Sequence, residues 1–302
     1  IKERDEQLDL LSAFAQKESS LSVNSILVYG NESSGKSYTV KSYLDFHKIK
    51  HSWIQCDECI SFKILLQRIL KAIQVDSGKV PSEEVLIDPN TISSFDSFIS
   101  ELQDFFTTKQ YTDQHYIVLD RADLIIEEGE DIFAKFVKLH EATRVPNLTI
   151  IFITSTQPRK LITTALPTIF FGNYNSTQIT RILEKKPLCG FSPGLNIPPA
   201  SINRFWQNYI GIIVESYFPY TTNINVLRRI ATKLWGKFTE EIERGKLQTS
   251  EFLALYRLNV GLLSSNYAFE TSLKNEEDEA SELQTISSGF PIISKYIIIA
   301  GY

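Results

Sequence analysis

The eight residues Gly30-Asn31-Glu32-Ser33-Ser34-Gly35-Lys36-Ser37 restrict what this chain can fold into more than any other feature of its sequence. They come after the short apolar, β-rich run Ile26-Leu27-Val28-Tyr29 and open a segment, Lys36 to Phe46, in which Val40 and Leu44 stand four apart. Strand, glycine-bounded loop and helix in that order make a phosphate-binding loop. The glycines let consecutive backbone N–H groups turn inward, and the helix N-terminus adds its positive end. The spacing assigns Lys36 to the β and γ phosphates and the Ser37 hydroxyl to Mg²⁺. Gly30, Asn31, Glu32, Ser33, Ser34, Gly35, Lys36, Ser37 and Tyr38 are the expected contacts of a nucleoside triphosphate, read here as ATP.

The segments beyond the loop fix the fold class. A second strand is expected at Ser52 to Gln55. Phe62, Leu65, Leu66, Ile69, Leu70 and Ile73 recur at helical spacing, as do Phe95, Phe98, Ile99, Leu102 and Phe106. Between those helices Asp76 to Asn90 carries Gly78, Pro81 and Pro89 among charges and reads as a surface insertion. Tyr116-Ile117-Val118-Leu119-Asp120 is an apolar strand closed by a carboxylate, placed to complete the metal's surroundings beside Ser37. A helix around Ile132 to His140 and strands at Leu148 to Ile153 and Thr168 to Phe171 complete the alternation. Apolar strands separated by helices imply βαβ units around a buried parallel sheet. The class is α/β, a P-loop NTPase with a buried parallel sheet and flanking helices.

From Asn175 the pattern turns helical, with apolar positions at Ile179, Ile182 and Leu183, then Ile202 to Phe218, Ile224 to Ile242 and Phe252 to Leu263. We expect a nucleotide-binding domain over 1–173, an all-helical lid over 174–272, a Glu-rich linker over 273–289 and the start of a further helical segment over 290–302. Methionine is absent and the chain ends inside the apolar run Ile297-Ile298-Ile299-Ala300-Gly301-Tyr302, so it is expected to be part of a longer chain.

Composition removes several function classes. With 43% hydrophobic and 22% charged residues the chain is neither disordered nor collagenous. A net charge of −5 gives no chain-wide attraction to nucleic acid, so contact with DNA needs a local patch or a partner's charge. Arg228, Arg229, Lys233, Lys237, Arg244 and Lys246 could form such a patch, but Glu240, Glu241 and Glu243 dilute it, and a mixed-charge helix surface is the preferred reading. No apolar run is long enough to span a bilayer, and no membrane partner is expected. Cys56 and Cys59 supply half of a zinc site, but lone Cys189 and four scattered histidines do not supply the rest, which favours buried cysteines in a reducing compartment.

Hydrolysis is a separate question. ATPases of this architecture commonly place a glutamate directly after the metal-binding aspartate, and here that position is Arg121. Loss of a general base removes about two to four orders of magnitude in rate. Asp123 lies three residues past Asp120, and its ordinary role is to cap the following helix. No catalytic residue is assigned, and slow or absent turnover is expected.

Ile26 to Val40, Trp53 to Cys59, Tyr116 to Asp123 and Ser294 to Tyr302 together resemble the family formed by the fifth subunit of the origin recognition complex, which is of the AAA+ type. The resemblance implies a RecA-like domain, a helical lid and a winged-helix domain that this sequence would lack. It further implies a nuclear, ATP-binding subunit that works with the other origin recognition complex subunits, double-stranded origin DNA and helicase-loading factors. The sequence departs from AAA+ relatives in its sensors. Thr154 or Ser155 stands where a γ-phosphate-sensing Asn is usual, and Asn225 stands where a lid arginine is expected, with Arg228 a turn later. Arg159 is the candidate for an arginine offered to a neighbouring subunit's nucleotide. Two roles for ATP stay open, a structural or regulatory staple and fuel for an active ATPase or loader. A small P-loop kinase is a weaker third reading, since the long helical region suits a lid better than an acceptor pocket.

Overall fold

Alternation of side chains along parallel strands decides the layering of the first part of the chain. The structure, a computed structural model, describes residues 3–18, 21–78, 92, 94–123, 125, 130–157, 166–192, 195 and 197–263. Its strands are β1 (Ser25–Tyr29), β2 (Lys50–Gln55), β3 (His115–Asp120), β4 (Leu148–Thr154) and β5 (Thr168–Phe170). They form one sheet in the order β2-β3-β4-β1-β5, and every pairing is parallel. β3 and β4 are buried along their whole length, as a sheet covered on both faces requires.

One face carries Ile26, Val28, Tyr116, Val118, Ile151, Ile153 and Ile169. These pack with Leu11 of helix α1 (Asp5–Phe14) and with Val40, Tyr43 and Leu44 of α2 (Lys36–Phe46). The opposite face carries Leu27, Ile54, Ile117, Leu119, Ile150 and Phe152. That face packs against α3 (Phe62–Asp76), α4 (Phe95–Thr108), α5 (Glu130–Val137) and α6 (Leu139–Thr143). The spacings read from the sequence for α3 and α4 follow the buried stripes of those helices, except that Phe62 and Ile99 are only partly buried and Phe105 is buried as well. Ser61 and Ser94 cap their N-termini by accepting from the Ile64 and Ser97 backbone N–H groups.

The sequence patterns and the structure differ in three places. α1 leaves no clear pattern in the sequence, because only Leu11 of its ten residues is buried and the apolar signal is correspondingly thin. The helix expected around Ile132 to His140 is two helices, α5 and α6, broken at Lys138. The last strand stops at Phe170, and Phe171 beyond it is fully buried in the core shared with α1 and α2.

The chain folds as two compact units, 1–173 and 174–302. In the second, α7 (Ser176–Leu183), α8 (Pro199–Tyr217), α9 (Ile224–Glu243) and α10 (Phe252–Asn259) enclose an aromatic core that includes Phe205, Trp206, Tyr209, Trp235 and Phe238. Its polar tips are satisfied locally, since Trp206 Nε1 donates to the Leu183 carbonyl at 2.9 Å and the Tyr209 hydroxyl donates to the Ala231 carbonyl at 2.8 Å. Among the described residues no helix is long and apolar enough to cross a membrane. Most of the expected insertion at Asp76 to Asn90, Arg159, the Glu-rich stretch and the segment 290–302 lie outside the described residues.

Candidate nucleotide-binding site

Register brings the candidate residues together at one edge of the sheet. Tyr29 pairs with Thr154, Gln55 with Asp120, and Asp120 with Ile153, so β1, β2, β3 and β4 end level with one another at their carboxyl ends. Ligands of open α/β sheets bind outside those ends. The loop Gly30 to Gly35 leaves β1 there, and Gly35, in the left-handed region at φ 86°, is the N-cap of α2. Gly30 sits at φ 150°, and a Cβ on it would collide with the carbonyl oxygen of Phe171. Only glycine fits at Gly30.

The loop's carbonyls are held by cations and hydroxyls. Lys36 Nζ donates to Gly30 O at 2.5 Å and to Asn31 O at 2.8 Å, and Ser34 Oγ donates to Asn31 O at 2.7 Å. Asn31 Nδ2 donates to Asn173 Oδ1 at 3.0 Å. Ser33 is in the left-handed region at φ 57°, and Tyr38 on α2 is 71% exposed. Burial lowers the Lys36 pKa from the usual lysine value, against the pull of Asp123, Asp120 and Glu32. An ammonium group poised among carbonyls and short of solvent gains more from an anionic ligand than a hydrated one.

Ser37 Oγ donates to Asp120 Oδ1 at 2.9 Å, joining the start of α2 to the end of β3. Asp120 is 5% exposed and also accepts from the Arg121 backbone N–H at 3.0 Å and from Gln55 Nε2 at 3.4 Å. A hydroxyl and a carboxylate side by side are hard oxygen donors of the kind Mg²⁺ takes, so the residues present fit that ion.

Past Asp120 the chain turns sharply, with Arg121 at φ 56°. Its guanidinium makes a 2.6 Å ion pair with Asp57 Oδ2 on the 3₁₀ turn (Cys56–Glu58) after β2. Among the described residues Asp123 makes its hydrogen bonds across the sheet rather than along its own segment. It accepts the Ser155 backbone N–H at 2.9 Å and the Ser155 hydroxyl at 2.8 Å, and so ties the ends of β3 and β4 together. The Thr154 hydroxyl donates to Thr156 O at 2.8 Å from a buried residue. Both hydroxyls at the sensor position are engaged by protein groups. Asn225 and Arg228 are exposed on α9 in the other unit.

The three cysteines are thiols that stand apart from any ligand cluster. Cys56 is buried with its thiol pKa pushed up by burial, Cys59 and Cys189 are half-buried, and all three are free. Among the described residues no group of three or more His, Cys, Asp or Glu side chains is placed to hold an ion.

Sequence reasoning missed two participants. Gln55 reaches Asp120 only through the β2–β3 register, which spacing along the chain does not show. Arg4 lies 5% exposed against the loop, donating to Ser34 O at 2.7 Å and Gly172 O at 2.6 Å, with its guanidinium 5.3 Å from the Phe171 ring centre. No motif marks it.

The chain matches the model of the AAA ATPase domain over residues 2–151 and that of the "ORC5, lid domain" over residues 206–264. It is 24% identical to the Homo sapiens origin recognition complex subunit 5, covering 99% of this chain and 70% of the relative. It is 23% identical to the Schizosaccharomyces pombe origin recognition complex subunit 5, covering 93% of this chain and 61% of the relative. A solved structure described as Drosophila ORC bound to DNA superposes with a TM-score of 0.65 at 16% identity, covering 86% of this chain and 68% of that one. The chain thus carries an AAA ATPase domain in its first half and a match to the ORC5 lid domain in its second, and it is similar over nearly its whole length to origin recognition complex subunit 5 proteins of human and yeasts.

Proposed function

We propose that the chain binds ATP and Mg²⁺ as a structural or regulatory ligand and hydrolyses it slowly or not at all. The observation that carries this reading is Arg121, which stands where a water-activating glutamate would stand and is pinned to Asp57 at 2.6 Å. Asp123, the other carboxylate nearby, is occupied by Ser155. On this reading Lys36 exchanges the Gly30 and Asn31 carbonyls for phosphate oxygens, the loop amides from Gly30 to Gly35 cradle the phosphates, and Tyr38 borders them. Ser37 and Asp120 would hold Mg²⁺, which would supply charge neutralisation at the phosphates. A ligand at a hundred times its dissociation constant stabilises the fold by about 2.7 kcal/mol, enough to set the surface offered to neighbouring subunits without turnover.

In this role the chain assembles with the other subunits of a nuclear origin recognition complex on double-stranded origin DNA and helps helicase-loading factors place the replicative helicase. Similarity to origin recognition complex subunit 5 over nearly the whole chain supports that assignment. The test is nucleotide content and single-turnover hydrolysis of the purified chain, alone and with co-purifying partners, against Lys36→Ala and Asp120→Ala. Retained, unhydrolysed ATP that both substitutions abolish is the expected result. Rapid turnover by the chain alone would point instead to an active ATPase with Asp123 as its base.

A further inference from the structure

We infer that Arg4 is a positioning residue of the nucleotide site, fixing the Ser34–Gly35 peptide so that the Gly35 N–H faces the phosphates. The inference rests on the nucleotide reading of the loop. In a planar trans peptide the C=O and the following N–H point in opposite directions, so whatever anchors the carbonyl aims the amide. The Ser34 carbonyl is anchored by Arg4 Nη2 at 2.7 Å, from a residue thirty positions earlier in the chain. Gly35 is the N-cap of α2, where the helix offers unpaired N–H groups to an anion.

The anchored carbonyls of the loop divide into two kinds. Those of Gly30 and Asn31 are held by Lys36, the side chain that phosphate recruits, with the Ser34 hydroxyl also on Asn31. That of Ser34 is held by Arg4, whose same nitrogen also donates to Gly172 O at 2.6 Å, just past the Phe171 carbonyl that crowds Gly30. Arg4 thus ties the far end of the loop to the chain just after β5, and the tie persists when Lys36 is drawn to phosphate. Its positive charge is felt at Lys36, and the Phe171 ring 5.3 Å away covers it from one side. Lysine at this position keeps the charge, but its ammonium on a flexible stem lacks the rigid planar donor set that holds a carbonyl in one direction.

The test is titration of the whole chain with a fluorescent ATP analogue, for the wild type, Arg4→Lys and Arg4→Ala, with thermal unfolding of the nucleotide-free proteins alongside. Arg4→Lys should weaken binding about tenfold or more, the loss expected for a charge-assisted hydrogen bond. Methylguanidinium added to Arg4→Ala should restore affinity while leaving the wild type unchanged. Wild-type affinity in both variants, or a loss that tracks unfolding and is not rescued by methylguanidinium, would overturn the inference alone. A wild-type chain that binds no ATP would overturn the nucleotide reading and this inference with it.

Discussion

The Arg121 guanidinium lies 2.6 Å from the Asp57 carboxylate, across the gap between the ends of β3 and β2. Arg121 adopts φ 56°, a sharp turn at the strand's end that lets its side chain meet the 3₁₀ turn after β2. An exposed ion pair of this kind contributes little to stability, on the order of 0–1 kcal/mol. Its consequence is chemical: the position that could hold a base holds a cation with a partner of its own.

Arg121→Glu is therefore expected to raise single-turnover hydrolysis above the wild-type rate, by at most about two to four orders of magnitude. ATP affinity should change little, because Arg121 donates to Asp120 through its backbone N–H, which the substitution keeps. A variant as slow as the wild type would show that the missing base is not what limits turnover.

Gly30→Ala should be poorly tolerated, since its Cβ would meet the Phe171 carbonyl and the residue sits at φ 150°. Overpacking of this sort costs about 1–3 kcal/mol. A lower melting temperature with ATP affinity also reduced is the expected outcome, and unchanged melting would refute the collision.

How far the site was legible in the sequence depends on how its residues are joined. Lys36 and Ser37 belong to a local motif whose geometry is set within eight residues, so strand, loop and helix could be read directly. Asp120 was legible because a buried strand ends on a carboxylate, an unusual event in an apolar run. Arg4, Gln55 and the Asp123–Ser155 link were not, because each contact crosses strands or joins the ends of the unit, and no local period encodes it. The helices α8 and α9 were visible from spacing alone, since helix periodicity reports burial within one element, but which aromatic side chains meet in their core was not.

Lys36 gives a pH prediction. Burial lowers its pKa, while bound phosphate favours the charged form, so affinity should be full at neutral pH. As pH rises through the lowered pKa, the free protein loses the proton and ATP binding weakens, beginning below the ordinary lysine range. Lys36→Arg, which stays charged, should flatten this alkaline limb even if binding is weaker throughout. Titrations with the fluorescent analogue from neutral pH into the alkaline range decide it, and parallel profiles would assign the limb to another group.

His115 gives the matching prediction for stability in acid. It is fully buried on β3, bonded through Nε2 to the Ser52 hydroxyl at 2.9 Å and through Nδ1 to the Tyr111 hydroxyl at 3.0 Å. Desolvation pushes its pKa down to about 3, so the folded protein keeps the ring neutral. The unfolded chain protonates it near pH 6.5. Stability from this group is therefore fully present above about pH 6.5 and is lost as pH falls toward 3, at up to about 1.4 kcal/mol per pH unit. His115→Gln should lower stability at neutral pH, where it cannot serve both hydroxyls in the same way, and should remove this part of the acid loss. Urea midpoints of both proteins, followed from neutral pH down to about pH 4, test the claim, and it fails if the two decline in parallel below about pH 6.5.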